Sequence, residues 1–418
     1  MVGIGNDQRI EANKDNDPYG YDLLSSRKGL DLTGYSSSHN NDGSNDLYHQ
    51  CHDDEVEETI LIDDIRERFE KYGFVVLRNC FSKDEREHQE LLGQWQRFSE
   101  EFFINCFEIL HQNEHIDKPY HEYGAEGKPA SNENDESRND GEHDGKDSKK
   151  AKSPPQKTTM TKATRVKKYT LGLSAKHGFE EIVMRSPGRY EISLLNYYKN
   201  LNTTIAGCGY NSNSSTADYQ KRCDHHPSWK ALIETTILSK LVPSLLHIDD
   251  ANDDESTYKH LKLCHVSLVV ATPGCNEQTW HSDGGHVSLS EHLPCHVLNV
   301  FLPLEDVPLV KGPTEFRPGT HVHTRNLGPM ILAAKCRKSL LPPYTATMRL
   351  GDVLIFDYRV LHRGKANNLP TIMSADGGSN NRTFLVLTYA QSWFEDVVNF
   401  PKRSMLLGAD GGSNSDTY

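Results

Sequence analysis

The chain has 418 residues, 36% of them hydrophobic, and its 59 Asp and Glu against 46 Lys and Arg give a formal net charge of −13. The acidic balance argues against a nucleic-acid surface as the main function and against attraction to anionic membranes. An apolar share below that of an average globular chain means that part of the sequence does not pack, and one large β domain with unpacked extensions fits this length.

No apolar run approaches the ~20 residues that span a bilayer, which argues against membrane insertion. The opening MVGIGNDQRIEANKDND has neither the basic nor the apolar region of a secretory signal. The closing Ser-Asp-Thr-Tyr is no peroxisomal signal, so an intracellular, cytoplasmic protein is expected. Nine cysteines, an odd number without a CxxC spacing, read as reduced thiols rather than a disulfide framework.

In chain order, residues 1–57 are rich in Asn, Asp, Ser, Gly and His and are expected to form a disordered extension. The folded domain is expected over 58–400. Ile60, Ile62, Ile65 and Phe69 recur at helical intervals, Gly73 stops that helix, and Phe74 to Leu77 reads as a short buried strand. Leu91, Leu92, Trp95, Phe98, Phe102, Phe103, Cys106 and Leu110 mark one face of a long amphipathic helix. Aliphatics vanish over about 113–163, which reads as a disordered insertion within the domain. WKALIETTILSKLVPSLL is expected to be one helix with Trp229, Leu232, Ile233, Ile237, Leu238 and Leu241 on a face.

From Leu261 onward, short runs rich in Val, Ile, Leu, Thr and aromatics alternate with Gly, Pro, Asn and Asp, without βαβ alternation. The fold class is therefore mainly β with flanking helices (α+β), a sandwich or barrel with the jelly roll a principal candidate. Residues 401–418 are expected to be a flexible tail.

Trp280-His281-Ser282-Asp283 is the sharpest chemical signal. On a strand, residues i and i+2 share a face with Cα atoms ~6.6 Å apart, so His281 and Asp283 can converge on one cation. GDVLIFDYRVLHRG supplies a third ligand, His362, read as closing an apolar strand. Two neutral imidazoles and one carboxylate form a facial triad whose open positions suit Fe(II) oxygen chemistry. On the next strand, the guanidinium of Arg382 can grip a carboxylate through two parallel hydrogen bonds, as a 2-oxo acid cosubstrate requires, or it can sit in a surface ion pair.

These residues resemble the phytanoyl-CoA dioxygenase family of Fe(II)/2-oxoglutarate oxygenases. The resemblance rests on Phe69-x-x-x-Gly73-Phe74-Val75-Val76-Leu77, Gln278-x-Trp280-His281-x-Asp283, Asn299-Val-Phe-Leu-Pro-Leu-Glu-Asp306, Gly312-Pro-Thr-Glu-Phe-x-Pro-Gly-Thr-His321, Gly351-Asp352, His362-Arg363-Gly364 with Asn367, and Arg382. It implies a double-stranded β-helix of the jelly-roll, cupin-like kind. It also implies iron ligands His281, Asp283 and His362, Arg382 as the 2-oxoglutarate anchor, O2 as cosubstrate, supportive ascorbate and a small-molecule substrate. Asn299 and Phe301 alternate on the strand after the HxD and are assigned to the cofactor pocket; Thr320 and His321 belong to a structural turn. Gly364 stands where the family often has a small hydroxyl residue, and the interval from His362 to Arg382 is longer than usual.

Two readings of different chemistry compete, and a peptide-hydroxylating oxygenase is a third within the same chemistry, distinguished only by substrate. A binding-only jelly roll could keep the fold without turnover. Cys223-Asp-His225-His226, Cys264-His265 and Cys295-His296 could hold zinc, although they lack the closed spacing of structural sites.

Overall fold

The computed structural model describes residues 19–23, 46–81, 85–112, 171, 178–207, 227–234, 236–248, 261–324, 340–370 and 380–406. Its first element corrects the expected extension over 1–57. Strand β1 (Gly20–Asp22) lies parallel to β2 (Phe74–Arg78), with Gly20 opposite Val76 and Asp22 opposite Arg78. Tyr21 and Leu23 bury their side chains and Tyr19 stacks on Phe74 at 5.2 Å. A three-residue ladder and a few apolar contacts thus order residues whose composition alone suggests none. Helix α1 also begins inside that range and runs Asp46–Tyr72. Residues 1–18 and 24–45, the expected insertion over 113–163 and the last residues from 407 lie outside the described ones.

Gly73 ends α1. Its φ of +82° is the left-handed conformation that only glycine takes freely, and its N–H returns to the Phe69 carbonyl at 2.7 Å. Phe74, Val75, Val76 and Leu77 follow, all fully buried in β2. Helix α2 (Arg86–Gln112) presents Trp95, Phe102, Phe103, Cys106 and Leu110 to the core. Next come β3 (Ile182–Ser186), β4 (Arg189–Ser193) and α3 (Leu194–Gly207).

The expected single helix over 229–246 is two, α4 (Trp229–Glu234) and α5 (Leu238–Leu245). Thr236 divides them: its hydroxyl donates to the Leu232 carbonyl at 3.1 Å and accepts from the Leu238 N–H at 3.4 Å, taking over backbone bonds that a continuous helix would make.

The remaining strands are β5 (Leu261–Ala271), β6 (Val297–Pro303), β7 (Thr314–Phe316), β8 (Tyr344–Ala346), β9 (Val353–Asp357), β10 (His362–Gly364) and β11 (Arg382–Gln391). They form an eight-stranded sheet ordered β1-β2-β9-β6-β11-β5-β4-β3 and a three-stranded sheet ordered β10-β7-β8. All pairs except β1 with β2 are antiparallel, as in a jelly roll.

Alternation along the strands sorts side chains to two cores. Leu298, Val300, Leu302, Leu385 and Leu387 face the helices with Trp95, Phe103 and Leu110. Phe74, Phe356, Phe384 and Val386 face inward and meet Phe316 of the small sheet, with Phe301 packed against them. Each fully buried side chain of this size stabilises by about 1.5–3 kcal/mol, so a one-residue slip of β6 or β11 would forfeit both faces.

The chain stays packed beyond 400, which corrects the expected tail boundary. Met405 is buried, and its N–H donates to the buried Glu181 carboxylate at 2.8 Å. Among the described residues, no helix is long and apolar enough to cross a membrane.

Candidate metal centre

The strand expected at His281 is a single bridge. His281 and His362 exchange both backbone hydrogen bonds, at 3.0 and 2.9 Å, and the chain then bends so that the Asp283 and Gly284 N–H groups reach the Tyr358 carbonyl. His362 likewise opens β10 rather than closing β9, because the chain crosses from the large sheet to the small one over 358–361. That crossover is clamped from within. Arg359 donates Nε–H to Asp357 Oδ1 at 2.9 Å and Nη2–H to Oδ2 at 2.6 Å, and both side chains are buried. Burial alone would raise the Asp357 carboxyl, but the bonds and charge of Arg359 hold it below its ordinary value.

One ligand atom each from His281, Asp283 and His362 fall within 4.8 Å of one another, and no other such group of His, Cys, Asp and Glu occurs among the described residues. Asp283 Oδ1 lies 3.9 Å from His281 Nε2 and 3.6 Å from His362 Nε2. Both imidazoles sit 2.8 to 3.1 Å from a backbone carbonyl through Nδ1, His281 from Thr279 and His362 from Val360. A carbonyl accepts only from N–H, so this tautomer leaves the Nε2 lone pairs free for a cation. Burial, then the neighbouring His362, lower His281 to about 4 against the opposing pull of Asp283, which keeps it neutral as a ligand must be.

Asn299 is the support beneath Asp283. Its Nδ2–H donates to Asp283 Oδ2 at 2.8 Å, and its Oδ1 accepts from the Thr388 hydroxyl at 2.6 Å. Oδ2 is thereby engaged and Oδ1 is left facing the two histidines. Thr388 pairs with Asn299 in the β11–β6 register, a relation that no local pattern announces. Phe301 packs against Phe356 at 4.9 Å and Phe384 at 5.4 Å, forming an apolar floor.

Arg382 is buried at the start of β11, and Nη1–H donates to the Gly312 carbonyl. Burial, then the charge of the neighbouring Arg189, lower its guanidinium to about 9. The long interval before Arg382 begins and ends on described residues. Asn367 Nδ2–H reaches the Asn380 carbonyl at 2.9 Å and Asn380 Nδ2–H the Pro370 carbonyl at 2.9 Å, so the ends of that segment are stitched together. Arg363 is turned the other way, paired with Glu315 and Glu277 over the Trp280 ring.

His321 and Thr320 serve the scaffold. His321 Nε2 lies 2.9 Å from the Glu70 carbonyl, and its ring packs where a Cβ on Gly73 would stand. Thr320 Oγ1 accepts from the Leu361 N–H at 3.0 Å. The Cys-His pairs build no cluster among the described residues: Cys264 and His265 are adjacent on β5, so they face opposite sides, and Cys295 is buried against the Val297 carbonyl. Cys223, His225 and His226 lie outside the described residues.

The segment after β11 closes one side of the site. Asn399 Nδ2–H donates to the Asp283 carbonyl at 3.3 Å, and Asp396 Oδ2 accepts from the Tyr358 hydroxyl at 2.8 Å. Burial would raise Asp396, but bonds from His265, Asn399 and Tyr358 lower it.

The family model for phytanoyl-CoA dioxygenase (PhyH) matches residues 69–368, which span the HxD, Asn299 and His362. The chain belongs to the phytanoyl-CoA dioxygenase family. Membership gives it an Fe(II)/2-oxoglutarate oxygenase-like function in general terms. Among solved structures, AviO1 from Streptomyces viridochromogenes Tue57 is similar at 13% identity, with a TM-score of 0.38 over 79% of this chain and 95% of that one. The non-heme alpha-ketoglutarate-dependent carbocyclase SnoK from nogalamycin biosynthesis is 15% identical, with a TM-score of 0.30 over 51% of this chain and 83% of that one. The non-heme alpha-ketoglutarate-dependent epimerase SnoN from the same biosynthesis is 16% identical, with a TM-score of 0.27 over 49% of this chain and 78% of that one.

Proposed function

We propose that the chain is an Fe(II)- and 2-oxoglutarate-dependent dioxygenase that hydroxylates a small organic molecule and releases succinate and CO2. The observation that carries this reading is the convergence of His281 Nε2, Asp283 Oδ1 and His362 Nε2, with Nδ1 of each histidine and Oδ2 of the aspartate already engaged. That donor set suits a ferrous ion with vacant positions, which would supply the oxygen chemistry when bound.

The chain's own residues do the rest. His281, Asp283 and His362 hold the ion, Arg382 holds the distal carboxylate of the 2-oxo acid, and Asn299 fixes which Asp283 oxygen faces the metal. Phe301, Phe356 and Phe384 keep the anchor side apolar and dry. His281 is a third exposed and Asp283 a quarter, while His362 is buried, so the organic substrate approaches from the His281 side. Exposed Val397 and Val398 immediately before Asn399 offer that approach an apolar rim.

The test is a screen of metabolite extracts with Fe(II), ascorbate and 2-oxoglutarate, scoring succinate together with a product that has gained one oxygen atom. Substrate-dependent succinate release from the wild type and none from Asp283→Ala is the expected result. Iron-loaded protein that binds 2-oxoglutarate yet never releases succinate would instead make it a binding protein.

A further inference from the structure

Gly364 lies two residues after the distal histidine, and a Cβ built there would stand 2.5 Å from Arg189 Nη1 and 2.7 Å from Gln278 Oε1. The space of a side chain at 364 is therefore filled by a guanidinium from β4. Arg189 and Arg382 are neighbours by register: each lies opposite Ala271, Arg189 across the β4–β5 ladder and Arg382 across the β11–β5 ladder, so all three share one face. Their tethers also abut. Arg189 Nη2–H donates to the Lys365 carbonyl and Arg382 Nη1–H to the Gly312 carbonyl, and Gly312 packs directly on Lys365.

Two buried like charges side by side are unfavourable unless something negative joins them. Arg189 is 2% exposed and Arg382 is 3% exposed, and Arg189 Nη1 and Arg382 Nε have no hydrogen-bond partner among the described residues. The acids nearest to them are committed elsewhere. Glu305 accepts from Lys311 and from the Thr383 N–H, and Glu277 pairs with Arg363 and Lys365. What remains among the described residues is a pair of cations with spare donors and no carboxylate partner.

Resting on the reading of the site given above, we infer that Arg189 is a second anchor for the distal carboxylate of the 2-oxo acid, occupying the place that a side chain at 364 would take. The carboxylate is then held by two guanidiniums instead of one guanidinium and a hydroxyl. Gly364 is required because any side chain there displaces Arg189.

The test is calorimetric titration of Mn(II)-loaded protein with 2-oxoglutarate, which reads binding without turnover. Arg189→Met and Arg382→Met are each expected to weaken binding by about 10- to 100-fold, the loss of a charged hydrogen bond, with Arg189→Lys recovering part of it. Gly364→Ser, which leaves both arginines in the chain but crowds Arg189 out, is expected to weaken binding as well and serves if Arg189→Met does not fold. Wild-type affinity in Arg189→Met or, where that variant does not fold, in Gly364→Ser would overturn the inference; an accompanying loss in Arg382→Met would leave the oxygenase reading standing. Wild-type affinity in Arg382→Met as well would overturn the anchor assignment of that reading too.

Discussion

Arg359 and Arg382 are both buried arginines, and they are opposites. Arg359 has a carboxylate fork in Asp357 and a third bond to the Leu293 carbonyl at 2.8 Å; Arg382 has one backbone carbonyl and a like charge beside it. A buried charge with its partner in the chain holds the fold, whereas one without a partner prepares a place for a ligand.

Removing each arginine separates the two cases. Arg359→Met leaves Asp357 buried and unpaired and is expected to lose about 3–5 kcal/mol of stability, read from urea unfolding. Arg382→Met is expected to keep or raise the melting temperature while 2-oxoglutarate binding weakens about 10- to 100-fold, or about 1.4–2.7 kcal/mol. Equal stability losses in both would erase the distinction.

The pH dependence of stability sharpens it further. Burial holds His321, behind the Asp357–Arg359 crossover, down at about 4. Between that value and the ordinary ~6.5 the unfolded chain binds more protons than the folded one, so stability is full above pH ~6.5 and falls toward pH ~4. His321→Asn is expected to flatten that loss by on the order of 1–3 kcal/mol, measured as unfolding free energy at several pH values. His296, also lowered to about 4 by burial, leaves some slope in place. At the support beneath the aspartate, Asn299→Ala is expected to weaken metal affinity about 10- to 100-fold, read by competition with a chelating dye.

Much of this was legible in the sequence because it is local. Hydrophobic period marked α2 and β2, the Gly73 stop was readable, and HxD with a later histidine named three residues that do converge. What was hidden is long-range. Thr388 reaches Asn299, and Arg189 reaches the space above Gly364, only because sheet register sets residues far apart in sequence side by side. β1 was hidden for a different reason: its ladder and the burial of Tyr21 and Leu23 depend on β2 being already in place. The helix break at Thr236 turns on a hydroxyl competing for backbone bonds, which hydrophobic period cannot register.

His281, Asp283 and His362 are expected to hold one ferrous ion to which a 2-oxo acid binds. Anaerobic addition of 2-oxoglutarate to the Fe(II)-loaded protein tests it directly through the metal-to-ligand charge-transfer absorption. The wild type is expected to develop that band and Asp283→Ala to lack it; indistinguishable spectra from the two would mean that these three residues do not form the iron site.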